Sequence, residues 1–257
     1  MNYPVMNKIH GPDVSFYQDD KNTPKSIDFK RMRDVGKARY VINRAGQNLW
    51  EDRIFDVSWT NSKGILPRGS YWFYDSRIDP KFQAKKWLSC FNDQGDLGEL
   101  PHFADFEDKY GGPFGTWRHW YDFMEEMKVL RPGIRLGVYT GYYYWMERTV
   151  GVGIPTASLN YFKQYPLWVA AYNPVGPEVP KPWADWTLWQ YTDNGDGTLY
   201  GVESLNIDLN LFNGDEAAFA KFASSVPVVT PPENVPTVDP IKSVRLIRKS
   251  GKVESLP

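Results

Sequence analysis

The chain has 257 residues, 30 Lys plus Arg against 31 Asp plus Glu, a net charge of -1 and 42% apolar residues. It is long enough for one large domain with a buried pocket, and too neutral to gather nucleic acid by bulk electrostatics. A single cysteine, Cys90, excludes an intrachain disulfide and any zinc site built on several cysteines, and His10, His102 and His119 leave little for a histidine-rich metal centre.

The N-terminal MNYPVMNKIHG lacks the apolar stretch of a secretory signal, so synthesis in a cytoplasm without export by that route is expected. No apolar run is long enough to span a membrane, so no membrane insertion is expected. Strand-like runs occur over residues 11–16, 39–45, 69–74, 102–107, 135–140, 167–171, 186–191 and 201–209. Helical patterns fill 28–35, 53–62, 79–91 and 117–130, with Asp28 and Asp79 placed as caps, and a last one covers 215–223. Strand–helix alternation predicts an α/β fold with a parallel sheet, and eight strands in about 200 residues predict closure into a barrel. Pro- and Gly-rich joints around 173–182 and 192–197 predict that the later strands lack covering helices.

Residues 1–225 are therefore expected to form the barrel. Residues 226–240 hold five prolines and read as a linker. Residues 241–257 carry five basic residues and one acidic, a net charge of +4. Their pattern suggests a hairpin turning at Ser250-Gly251, or the start of a further domain.

Barrel chemistry sits at the C-terminal strand ends, and here those ends are acidic. The first strand carries Asp13, the fourth Asp105 and Glu107, and the eighth Asp208. Alternation along a strand puts Asp105 and Glu107 on one face, about 6.6 Å apart at Cα, with Ala104 and Phe106 turned outward. Two close, desolvated carboxylates cannot both ionise easily, so one is kept protonated as a general acid, which is what glycosidic cleavage requires. An isolated Asp-x-Glu is a common surface pattern; its position at the end of an apolar strand, with two further acids at other strand ends, favours a site. Ser15 beside Asp13 lacks a histidine at the right end of its strand, so a Ser-His-Asp triad is set aside. The run 193–197 reads as a turn rather than a calcium loop, and Cys90 as a small core residue. Tyr74, Tyr139, Tyr172, Trp189 and Tyr191 stand at strand ends as candidate sugar-stacking residues, although each is also a candidate for the core. Arg44 ends the second strand, positioned to orient an acid or support a loop. Tyr142-Tyr-Tyr-Trp145 is a candidate cleft wall.

These motifs resemble glycoside hydrolase family 25, the Chalaropsis-type lysozymes or N-acetylmuramidases found among phage endolysins. The resemblance runs in order through Gly11-Pro-Asp13-Val-Ser15, Ile42-Asn-Arg44, Gly69-Ser-Tyr71-Trp-Phe73, Ala104-Asp105-Phe-Glu107, Gly137-Val-Tyr139, Trp189-Gln190-Tyr191 and Ile207-Asp208-Leu-Asn210. It implies a modified TIM-like barrel, with five βα units followed by three mostly uncovered strands. It also implies cleavage of the β-1,4 bond between N-acetylmuramic acid and N-acetylglucosamine in peptidoglycan, without cofactor or metal and after release to the cell wall. Glu107 takes the position of the general acid, and Asp13, Asp105 and Asp208 the other acidic positions. The basic tail is expected to favour anionic wall polymers. Two other readings stay open at this point: a carbohydrate-binding barrel without catalysis, and a hydrolase of chitin-like polymers. The chain departs from the family pattern at Trp72, where members often carry His, which bears on subsite contacts.

Overall fold

The computed structural model describes residues 8–23 and 25–224, together with the backbone of 246–247 and 253–254. The strands of the first unit are β1 (His10–Val14), β2 (Val41–Gln47), β3 (Trp50–Glu51), β4 (Arg68–Phe73), β5 (His102–Asp105), β6 (Leu136–Gly141), β7 (Leu167–Ala170), β8 (Leu188–Asp196) and β9 (Asn206–Phe212). Its α-helices are α1 (Phe29–Asp34), α2 (Phe55–Ser62), α3 (Pro80–Ser89), α4 (Trp117–Leu130), α5 (Tyr142–Arg148), α6 (Thr156–Leu159) and α7 (Glu216–Phe222). The sheet order β1-β9-β8-β7-β6-β5-β4-β2 is closed by pairing of β1 with β2, and β3 hangs on β2 outside the ring. The expected barrel is therefore present: eight strands close it, and β3 is the additional one.

One direction differs from expectation. Neighbours from β1 through β2, β4, β5, β6, β7 to β8 are parallel, but β9 runs antiparallel to both β8 and β1. The cause is chain length. Only residues 197–205 separate β8 from β9, and a parallel crossover needs a dozen residues or more. The predicted turn at 193–197 is also displaced: β8 continues through Asp196, and the reversal begins at Gly197.

Strand alternation sorts the side chains into two layers. Outward residues such as Trp72, Ala104, Phe106, Val138 and Val169 pack beneath helices with Trp87, Trp120 and Phe123. Inward residues Ile42, Phe103, Tyr139, Trp168 and Leu188 fill the barrel. Gly137 is required there, since a Cβ would lie 2.4 Å from the Phe103 ring. The two predicted caps form: Asp28 accepts from the Arg31 amide at 2.9 Å and Asp79 from the Lys81 amide at 2.8 Å. Cys90 is buried, as expected for a core residue. Among the described residues, no helix is long and apolar enough to cross a membrane.

The chain divides into two units, Met1–Pro227 and Val228–Pro257. In the second, Leu246–Ile247 pairs antiparallel with Val253–Glu254. The expected linker at 226–240 and the Ser250-Gly251 turn lie outside the described residues, as do the side chains of the basic tail.

Candidate active site

Closing the ring brings the four acids together. Asp13 and Asp208 are direct cross-strand partners between β1 and β9. Asp105 ends β5, and Glu107 follows it two residues on, so both face inward. All four line one pocket of about 130 Å³, whose walls also include Tyr71, Tyr139, Trp168, Tyr172 and Gln190. Because β9 is antiparallel, its N-terminal half lies at the mouth, which places Asp208 opposite Asp13.

The electrostatics follow from burial and mutual repulsion. Burial, and then the charge of Glu107, hold Asp105 well above the usual carboxylate range. Glu107 is raised by burial and then by Asp13, and a hydrogen bond with the Tyr139 hydroxyl offsets part of this. Asp208 is pushed up to about 8 by burial, with the charges of Asp13 and Asp193 adding to it. Asp13 is raised by burial, against hydrogen bonds from Asn210 and Gln190 that favour its charged form. Asp105 Oδ1 is buried without a hydrogen-bond partner, an acceptor position open to a polar group of a ligand.

The remaining sequence candidates divide. Tyr139 is inward, and its hydroxyl donates to Gln190 Oε1 at 2.9 Å. Tyr172, 54% exposed, donates to the same oxygen at 2.9 Å. Arg44 is buried and does not line the pocket; its guanidinium lies 5.4 Å from the Phe16 ring and 5.0 Å from the Trp50 ring, and donates to Gln47 Oε1 at 2.6 Å. Its charge nevertheless reaches the site and opposes the rise at Asp105.

Three candidates are misplaced by the sequence reading. Tyr74 lies just past β4, on the outer side among Phe106 and Phe123, and donates to Phe114 O at 2.9 Å. Trp189 and Tyr191 also face outward, packed with Val14, Leu209 and Leu211. The inward residue of that strand is Gln190, between the two. Tyr142-Tyr-Tyr-Trp145 is not one wall: it opens α5, where Trp145 is buried and Tyr143 is 76% exposed. The unusual Trp72 is likewise outward and buried, so the departure from the family pattern does not touch the pocket. Ser15 caps the 3-10 turn Phe16–Gln18 and His10 Nε2 lies 2.9 Å from Gly36 O, so neither serves a triad.

Residues not singled out from the sequence stand beyond the C-terminal end of β2. β2 and β3 form a two-residue hairpin with Asn48 at φ 59°, and its Trp50 is 41% exposed. Gln47 Nε2 donates to Tyr110 OH at 3.1 Å, tying this hairpin to the loop after β5. Tyr110 is 49% exposed, with the Arg77 guanidinium 3.8 Å from its ring centroid.

A family model described as "Glycosyl hydrolases family 25" matches residues 12–198. The chain belongs to this family. Over 229 residues it is 27% identical to Lysozyme M1 of Streptomyces globisporus, covering 84% of this chain and 72% of that protein. It is 28% identical over 237 residues to the uncharacterized protein YegX of Escherichia coli O157:H7, covering 87% of this chain and 76% of the other. The structure of the bacterial lysozyme from Streptomyces coelicolor superposes with a TM-score of 0.68 at 25% identity, covering 85% of this chain and 98% of that one. This family-25 chain is thus a glycoside hydrolase by kinship, and its acid-lined pocket has the residue types that chemistry needs.

Proposed function

We propose that this family-25 hydrolase is an N-acetylmuramidase, cutting the β-1,4 bond between N-acetylmuramic acid and N-acetylglucosamine in peptidoglycan. The observation that carries the reading is the convergence of Asp13, Asp105, Glu107 and Asp208 on one pocket in a chain similar to named lysozymes. Glu107 donates its proton to the glycosidic oxygen as the bond to the anomeric carbon breaks. A carboxylate on the opposite side supports the oxocarbenium-like centre, either as nucleophile or by steering the acetamido oxygen of the sugar. Asp105, with its unpartnered Oδ1, takes a polar group of the sugar. Water then completes hydrolysis, returning a proton to Glu107. Mass spectrometry of fragments from purified cell walls, after borohydride reduction, tests the bond: reduced muramic acid termini are expected. Reduced glucosamine termini would point to the other bond of the polymer, and intact walls would favour a binding barrel.

The exposed rings supply binding. Sugar C–H faces stack on aromatic rings, and such contacts are worth about 1 kcal/mol, or roughly a fivefold effect. Trp50→Ala is therefore expected to raise KM for solubilised glycan strands several-fold with little change in kcat, because the stacking is the same in ground and transition states. A fall in kcat at constant KM would place Trp50 instead in the support of Arg44.

A further inference from the structure

Beneath the acids runs a chain of buried amides. Asn210 lies inward on β9, with Trp168 on one side and β1 on the other. Trp168 Nε1 donates to Asn210 Oδ1 at 2.7 Å. An indole nitrogen is only ever a donor, so the carbonyl end of Asn210 must face it. The amide end then faces β1, donating to Gly11 O at 3.1 Å and Asp13 Oδ2 at 2.9 Å. Gly11 O is only ever an acceptor, which locks the same orientation from the other side.

Gln190 repeats the arrangement from β8. Its Oε1 accepts from the hydroxyls of Tyr139 and Tyr172, and its Nε2 donates to the same Asp13 Oδ2 at 3.0 Å. Tyr172 holds the carbonyl end even when Tyr139 turns its proton toward Glu107. Both carboxamides are buried, so neither exchanges readily with water.

We infer that Gln190 and Asn210 are positioning residues: together they clamp one oxygen of Asp13, so that Asp13 is the member of the acid cluster kept ionised for the reaction. The inference rests on the muramidase reading for its kinetic part, and divides the labour among the three aspartates. Two N–H donors on one carboxylate oxygen favour the anion and resist its protonation. Burial opposes them, and the titratable groups packed around Asp13 come from every neighbouring element. Asp208 faces Asp13 from β9 and shares a hydrogen bond with it that also favours the Asp13 anion, with the charge of Asp193 acting on Asp208, and Asp105 and Glu107 face the same pocket from β5. Tyr40 and Arg44 approach from β2 and its lead-in, Tyr71 from β4, Tyr139 from β6 and Tyr172 from the segment after β7. Of these, Arg44 alone is positive. Burial is the force that would protonate Asp13, and the Asn210 and Gln190 amides are the largest groups opposing it.

The test uses the whole chain with 13C-labelled aspartate, its Asp13 carboxyl signal assigned by loss in Asp13→Asn. Gln190→Met and Asn210→Leu, each removing one donor without adding charge, are expected to raise the Asp13 titration midpoint by about one pH unit. The acidic limb of kcat/KM on purified peptidoglycan should move with it, and the alkaline limb by less. If Asn210→Leu does not fold, Gln190→Met decides, since its tyrosine partners retain Glu107 and solvent as acceptors. A midpoint moving less than about 0.3 units, or an acidic limb that stays while the midpoint moves, overturns the inference. A wild type without hydrolysis would sink the muramidase reading alone, leaving the carboxyl titration to decide the clamp.

Discussion

Glu107→Gln is expected to lower turnover on purified peptidoglycan about 10³-fold, within the range that a general acid contributes, while wall binding changes less than about threefold. The substitution keeps the size of the side chain and removes only the transferable proton. Burial and the nearby Asp13 charge raise the Glu107 carboxyl, the direction that favours a proton-bearing acid. The alkaline limb of the wild-type profile reports its loss, and should be absent from the residual activity of the variant. Binding of the variant to walls, measured by pull-down, separates a disabled hydrolase from a barrel that never turned over. Retention of more than a tenth of wild-type turnover would remove Glu107 from its role, and Asp105 would be the next group to test.

The acid pair was legible because β5 is short and ends at Asp105, with Phe106 and Glu107 following directly. Alternation then leaves one choice of inward residues once Ala104 and Phe106 are assigned to the helices. The same rule failed on β8. Its residues Leu188-Trp-Gln-Tyr191 are all buried, and a strand covered on both faces carries no period of two to read. Gln190 was the available signal: a polar residue inside an apolar strand needs a partner, and the partner is in the site. The direction of β9 was also legible from its short connection, which forbids a parallel crossover. The β2–β3 hairpin was not, because Asn48-Leu49 lacks the glycine that usually marks such turns. Helix α5 was hidden by three consecutive tyrosines, which have only middling helix propensity. Tyr74 was misread because it shares the outward face of Trp72, two residues earlier, in a strand whose aromatics on both faces hide the period of two.

The clustered acids also cost stability, and the pH dependence of that cost is the second large effect expected. A carboxyl whose folded pKa is raised binds its proton more tightly in the folded state than in the unfolded one. Its contribution is complete below about pH 4 and is lost as pH rises through the folded value, which for Asp208 is about 8. His102 acts in the opposite sense: burial lowers it to about 3, so its contribution grows with pH until about 6.5, the ordinary histidine value, and is flat above that. The window from pH 6.5 to 8.5 therefore isolates the acids. Wild-type stability in urea should fall there by at least about 1–2 kcal/mol, the order expected for Asp208 alone over that range, with the other raised acids adding to it. Asp208→Asn should reduce that slope, by the share that Asp208 contributes, and raise Tm at pH 8.5 by roughly 2–6 °C. Asp105→Asn should act in the same direction, since burial and the charge of Glu107 also raise Asp105. Both variants should lose hydrolysis while gaining stability, because the buried acids that weaken the empty barrel are the ones that line the reaction pocket. Equal slopes in wild type and Asp208→Asn would show that Asp208 titrates alike in the folded and unfolded chains, and the four acids would then not act as one coupled site.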